Sequence, residues 1–198
     1  MMQSNQVRVD VATGDALDVR SFHVTQQMDA LFRVRLTAVS HNLSIDLAEV
    51  IGKDGSFSLG TANGSLQLHG VVIELKQLRV DEQGLATYSL QLAPRAWLMS
   101  QRKNFRIFQF VSELAIVLQL FAEWGVEVES RIGRTHKPRK FRVQYDESDF
   151  DFACRMLEDA GIAFYFVAAE GGTRLVLDDQ PETRGLDFPL LAFEDQPQ

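Results

Sequence analysis

Residues 144–166 read QYDESDFDFACRMLEDAGIAFYF, and this stretch decides the fold class. Ser148 can accept a bond from the free N–H groups of a first helical turn. Asp149 and Asp151 then sit where the helix dipole favours negative charge. Phe150, Ala153, Cys154 and Leu157 recur at helical spacing, and Gly161 supplies the left-handed residue that closes a helix. Before this helix, Phe141, Val143 and Tyr145 alternate as in a strand. After it, residues 162–167 and the pair Leu175/Leu177 read as two more. Upstream, Ser112 caps a second helical pattern, with Leu114, Val117, Leu118 and Phe121 as its apolar stripe and Gly125 as its stop. Helices packed on a small sheet are the expected architecture of this half.

The first hundred residues have a different rhythm. Phe32, Val34, Leu36 and Ala38 alternate with Arg33, Arg35 and Thr37, which predicts a strand with one buried face. The same period recurs at Leu66/Leu68, at Ile73/Leu75 and at Tyr88/Leu90/Leu92. Turn chemistry separates these runs at residues 52–55, Asn63-Gly64 and residues 81–84. A short helical turn is expected near residues 45–51. Short strands with frequent turns predict an antiparallel barrel or sandwich. The fold class is therefore α+β and mainly β. The expected organisation is a barrel-like domain over 1–100, an α+β domain over 101–178, and a connector over 179–198, where three of the five prolines lie.

At 198 residues the chain can bury about 70% of its unfolded surface, so a core needs no staples. With 45% hydrophobic and 24% charged residues it is an ordinary globular sequence, not a fibrous or disordered one. The net charge of −7 disfavours a generally basic nucleic-acid or membrane-surface protein. A single cysteine, Cys154, forms no internal disulfide and no zinc knuckle, and its place on an apolar stripe predicts a buried structural thiol. The N-terminus carries no secretory-signal pattern, and no run is long enough to span a bilayer.

Two clusters hold potential chemistry. Asp146, Glu147, Asp149 and Asp151 are the densest carboxylates. They read either as a metal or acid/base site for a hydrolase or as the acidic start of a helix. The spacing lacks the glycine and distal glutamate of a calcium loop. Residues 131–142 carry six Lys/Arg and no acid, whereas residues 143–198 carry thirteen acids against three basic residues. The basic run reads as a solvated loop, a polyanion or nucleic-acid site, or a surface that pairs with acidic protein, including this chain's own acidic third in another subunit. His23, His41, His69 and His136 show no metal-binding spacing. Nucleotide-binding and serine-hydrolase motifs are absent from the sequence.

Four segments together resemble the N-terminal region of VgrG proteins, the spike subunits of type VI secretion systems, which is shared with baseplate hubs of contractile-tail phages. The first is MDALFRVRLTAVS at residues 28–40 with LSIDLAEVIGK at 43–53. The second is LHGVVIEL at 68–75, with Gly70 at the family's strand glycine. The third, YSLQLAPRAWLMSQRKNFRIFQ at 88–109, places Tyr88, Leu90, Leu92, Pro94, Trp97, Arg102, Arg106, Ile107, Phe108 and Gln109 in family order. The fourth is the opening stretch, with Tyr145, Ser148, Asp149, Phe150, Phe152 and Gly161.

The resemblance covers roughly residues 8–190. It implies a structural hub without catalytic, cofactor or metal residues, from a family whose members usually continue into a β-helical needle. It further implies a homotrimer seated on a hexameric tube protein, with baseplate, adaptor or effector partners and neither nucleic acid nor membrane insertion. Such a chain is made in the cytoplasm and exported by the contractile machine without signal cleavage. The matched residues are expected to be architectural. Gly70 allows close backbone approach and Pro94 ends a ladder. Trp97 anchors the domain junction. Tyr145 and residues 150–152 pack the second helix on its sheet.

Overall fold

The structure is a computed structural model that describes residues 6–61, 64–169 and 172–183. Period-two patterning builds its first part. Strands β1 (Gln6–Val11), β2 (Asp18–Thr25), β3 (Arg33–Ser40), β4 (Asp54–Thr61), β5 (Gly64–Val80) and β6 (Ala86–Ala93) form one antiparallel sheet, ordered β1-β4-β5-β6-β3-β2. It curls into a half-barrel. Val34, Leu36 and Ala38 of β3 face Leu92, Leu90 and Tyr88 of β6 across the ladder, and all six are buried. The helical turn expected near 45–51 is a 3-10 turn at Leu47–Glu49, capped by Asp46 Oδ1, which accepts from Ala48 N at 2.9 Å.

Three details differ from the expectation. Leu66/Leu68 and Ile73/Leu75 belong to one 17-residue strand, β5. A bulge between Val72 and Glu74 shifts its phase, so Val72 and Leu75 take the core and Ile73 does not. The turn at 52–55 is narrower, since Asp54 and Gly55 already pair within β4. Asn63 lies outside the described residues, and Gly64 opens β5 opposite Thr61.

Past Pro94 the architecture changes. A 3-10 segment at Arg95–Gln101 leads into β7 (Lys103–Val111), α1 (Glu113–Glu123), β8 (Val128–Arg131), β9 (Arg139–Ser148), α2 (Asp149–Ala160), β10 (Ala163–Ala169) and β11 (Gly172–Asp178). Strand β11 pairs antiparallel with β10 and parallel with β8. Strands β7 and β9 form a separate antiparallel ribbon. Both helix starts are capped as read: Ser112 Oγ accepts from Ala115 N at 3.3 Å and Ser148 Oγ from Asp151 N at 3.0 Å. Gly161 closes α2 at φ 63°. Residues 184–198 of the expected connector lie outside the described residues.

The helix stripes are rotated from the predicted ones. Helix α1 buries Ile116, Val117, Leu120 and Phe121, leaving Leu118 exposed. Helix α2 buries Phe152, Ala153, Met156 and Leu157, with Phe150 and Cys154 at the margin. The helices pack on each other as well as on strands, so the buried arc is displaced towards the partner helix.

One hydrophobic core runs through both parts. Phe32 meets Phe166 edge-on with ring centroids 5.2 Å apart. Asp29, at φ 56°, donates its N–H to Phe164 O and accepts from Phe164 N, both at 2.9 Å. Trp97 is not the buried anchor expected at this junction: it is half-buried, and Ala96 and Met99 of the same turn are fully enclosed. Met99→Ala is accordingly expected to cost about 2–5 kcal/mol and Trp97→Ala less, in paired urea titrations. The reverse order would show that the indole carries the junction.

Candidate functional site

Asp149 opens α2 and its side chain is fully buried. Its Oδ1 accepts from Asn104 Nδ2 at 2.8 Å and Gln144 Nε2 at 2.9 Å. Its Oδ2 accepts from Arg102 Nη2 at 2.6 Å, Arg102 Nε at 2.9 Å and Trp124 Nε1 at 2.9 Å, with Arg106 Nη2 at 3.5 Å. The Asp149 N–H donates to Arg102 O at 3.1 Å. Strands β7 and β9, the end of α1 and the start of α2 therefore converge on one carboxylate. Burial alone would raise its pKa. The bonds from Gln144, Asn104, Trp124 and Arg102 overcome that and hold it at about 2. Arg106 continues the network to Glu123 at 2.8 Å, and the Arg102 guanidinium lies 4.6 Å over the Trp124 ring.

A second clasp has the same logic. Glu113, nearly fully buried at the start of α1, accepts from Arg139 Nε at 2.9 Å and from both Nε and Nη2 of Arg142. Burial raises this carboxyl, while its own backbone N–H and the two arginines bring it below the ordinary value.

The clasps take up members of both sequence clusters. The carboxylates of 146–151 do not converge. Asp146 is exposed beside Lys103 at 3.6 Å, Glu147 pairs with Arg155, Asp151 accepts from Ser148 Oγ, and Asp149 is enclosed by donors. An anion saturated with donors has no lone pair aimed at a substrate or metal, so the hydrolase alternative loses its geometry. The basic run is a largely exposed loop over residues 132–138 that leads into β9, and four of its six cations bond carboxylates of this chain. Arg131 bonds Glu129, Arg134 bonds Asp179 at 3.3 Å, and Arg139 and Arg142 bond Glu113. Its acidic counterpart lies within this chain, including Asp179 of the acidic third.

The remaining signature residues take simple places. At Gly70, an added Cβ would stand 2.0 Å from the Ala93 carbonyl oxygen. Pro94 follows the last residue of β6 and caps the 3-10 segment. Phe108 stacks on Phe152 at 5.7 Å, and Phe150 meets Phe164 edge-on at 6.1 Å. Burial, then the nearby Asp151, Asp29 and Glu158, pushes the Cys154 thiol up to about 12, which leaves it unreactive.

Tyr145 does not pack α2 on its sheet. It is 74% exposed and stacks edge-on with Phe105 at 5.1 Å on the outside of the ribbon. The ribbon is inverted relative to the usual pattern. Asn104, Arg106, Arg142 and Gln144 turn inward to serve the two carboxylates, while Phe105, Ile107, Phe141, Val143 and Tyr145 face out. At φ 56°, Phe110 resets the alternation, so Val111 packs inward and Phe110 is exposed. This face was legible only as alternation. The signal for its direction is that the interleaved polar residues Asn104, Arg106, Arg142 and Gln144 all carry hydrogen-bond donors.

The molecule is thus a curled half-barrel joined to a carboxylate-clasped α+β unit. The sequence profile described as phage tail baseplate hub (GPD) matches residues 25–192, and the chain belongs to that family. Within it the chain is similar to the VgrG spike proteins of type VI secretion systems. It is 32% identical to VgrG1a of Pseudomonas aeruginosa over 182 residues, which is 90% of this chain and 28% of that protein. It is 26% identical to the actin cross-linking toxin VgrG1 of Vibrio cholerae, over 89% of this chain and 17% of that one. The chain thus spans about a quarter or less of these relatives.

Among solved structures, the E. coli c3393 protein superposes with a TM-score of 0.78 at 26% identity, covering 89% of this chain and 49% of that one. That protein is described as a type VI secretion component similar to the T4 tail proteins gp27 and gp5. A chain of the Francisella PdpA–VgrG complex shares the fold, with a TM-score of 0.65 at 10% identity over 90% of this chain and 32% of its own.

Proposed function

We propose that this chain is the hub portion of a VgrG-like spike. It forms a trimeric ring that caps a hexameric tube, carries a needle with effector or adaptor proteins, and catalyses no reaction of its own. The single observation that carries this reading is the hub-family match across residues 25–192. The clasped carboxylates support it, because they spend their lone pairs on structure. Export follows without a cleaved signal: the chain is made in the cytoplasm and driven out by sheath contraction, so its work is mechanical. Among the described residues no helix is long and apolar enough to cross a membrane.

The test is co-sedimentation of the chain with assembled tubes of a type VI hexameric tube protein. Recovery with the tubes at about one trimer per open end is the expected result. Equal recovery with and without tubes would sink the capping role.

A further inference from the structure

Strand β11 ends the α+β unit, and residues 179–198 follow it in the sequence. It is the middle strand of its sheet. All seven of its residues pair with β10, and residues 175–178 also pair with β8. The chain is gripped again at the very next residue. The Asp179 side chain is fully buried. Gly133 N donates to its Oδ1 at 3.0 Å and to its Oδ2 at 3.1 Å. Arg134 N and Nε donate to Oδ2 at 2.8 and 3.3 Å. Arg134 Nη2 donates to the Asp179 carbonyl oxygen at 2.5 Å, and to Gly161 O at the end of α2 at 3.0 Å.

One residue is thus held by its side chain and its main chain together. Two of the donors are main-chain N–H groups, which cannot swing aside. The arginine is braced in turn against the helix end. One residue earlier, Asp178 accepts from Tyr165 Oη at 3.2 Å and from Gln180 N at 2.9 Å. A strand end ordinarily frays first and parts pair by pair. Under a pull on residues 180–198, β11 begins to part only after Asp179 has left its cradle. Its five bonds to Gly133 and Arg134 share that load and fail together. Their failure strands a buried carboxylate and the donors around it, which makes the first step the hardest.

We infer that the Asp179–Arg134 clasp is a mechanical stop, which keeps tension on the following chain from peeling β11 out of its sheet. The inference rests on the hub reading, because a part driven by contraction works under load. Arg134 is the positioning residue: it ties the Asp179 main chain and the end of α2 to one guanidinium.

The test is single-molecule unfolding of the full chain at constant force, which reads the unfolding rate rather than the equilibrium stability. Two tethers share a handle at the N-terminus. In one, the second handle is at Gln198, and the clasp carries the load. In the other it is at Ala122→Cys, an exposed position of α1, and the clasp carries none. Asp179→Asn keeps the shape of the side chain and removes its charge. Through Gln198 it is expected to shorten the lifetime of the α+β unit at least about tenfold. Through residue 122 its effect is expected to be no larger than that of Asp149→Asn, which weakens the same unit elsewhere. Arg134→Lys keeps the charge and the main-chain bonds to Asp179 but replaces the fork by a single ammonium. It is expected to melt within a few degrees of the parent and to weaken the Gln198 tether alone.

Equal shortening by Asp179→Asn in both tethers would overturn the stop, since the carboxylate would then serve stability alone. Should that variant not fold, Arg134→Lys decides: a parent-like lifetime through Gln198 would overturn the brace. Tube co-sedimentation loads no chain, so it tests the hub reading separately, and either can fail without the other.

Discussion

Gly70→Ala is expected to leave little folded protein, with a loss above about 3 kcal/mol against the ~5–15 kcal/mol that holds a domain together. The cause is a backbone collision. The new Cβ would lie 2.0 Å from the Ala93 oxygen and 2.7 Å from its carbonyl carbon, and neither atom can rotate away. Ala93 pairs with Val71 where the β5–β6 ladder ends, so relief requires parting the two central strands. Overpacking a core with a methyl group usually costs about 1–3 kcal/mol, because side chains yield; here the obstacle is main chain.

Two control substitutions calibrate the result. Gly55 lies opposite Gly70 in β4, and its Cβ would meet three atoms at 3.1 Å, two of them side-chain tips, so Gly55→Ala is expected to be milder. Gly14 has nothing within 4 Å and φ +71°, so Gly14→Ala should cost only about 1 kcal/mol of left-handed strain. Urea midpoints of the three variants give the order directly. A Gly70→Ala protein as stable as Gly14→Ala would refute the close approach.

Asp149→Ala is expected to cost about 3–5 kcal/mol, the range for removing one partner from a buried charged network. The variant strands Asn104 and Gln144 amides and the Trp124 N–H, and it uncouples α2 from β7. Arg102 and Arg106 reach solvent at their edges, which keeps the loss towards the lower end.

The same carboxylate sets an acid limb. Its folded pKa of about 2 lies below the ordinary 3.8, so its stabilisation is complete above the ordinary value. It is lost as pH falls from about 4 through 2, and a shift of this size is worth roughly 2–3 kcal/mol. Glu113, Glu123 and Asp179 are also held low and add to the limb in the same direction. Urea unfolding at pH 7 and pH 3 is expected to show a smaller difference for Asp149→Ala than for the parent. Equal differences would mean that Asp149 titrates alike in the folded and unfolded chains.

Local chemistry was readable without the structure. Ser112, Ser148 and Gly161 act through bonds to their own neighbourhood, and β3 and β6 alternate because one face meets a core. What escaped depends on partners distant in sequence. The helix stripes were misjudged because α1 and α2 bury against each other as well as against strands. An inward Tyr145 is the sound default for such alternation, and it fails where a buried carboxylate recruits donors. Asp149 and Glu113 draw Asn104, Arg106, Arg142 and Gln144 inward, and the apolar alternates are left outside. Nothing in the spacing of β7 alone announces those carboxylates. Trp97 was overrated for its size, whereas Met99, less conspicuous in the sequence, fills the junction.

The Asp149 clasp also imposes a timetable on the growing chain. Arg102 precedes its carboxylate partner by 47 residues. At about 5–20 residues per second, a ribosome needs roughly 2–10 s to make that stretch. During the interval β7 lacks both its ladder partner β9 and the anion its arginines surround. Of the carboxylates that Arg102 and Arg106 bond in the finished molecule, Glu123 alone is made before Asp149. The clasp that fastens β7 to α2 is therefore completed only once α2 has been made.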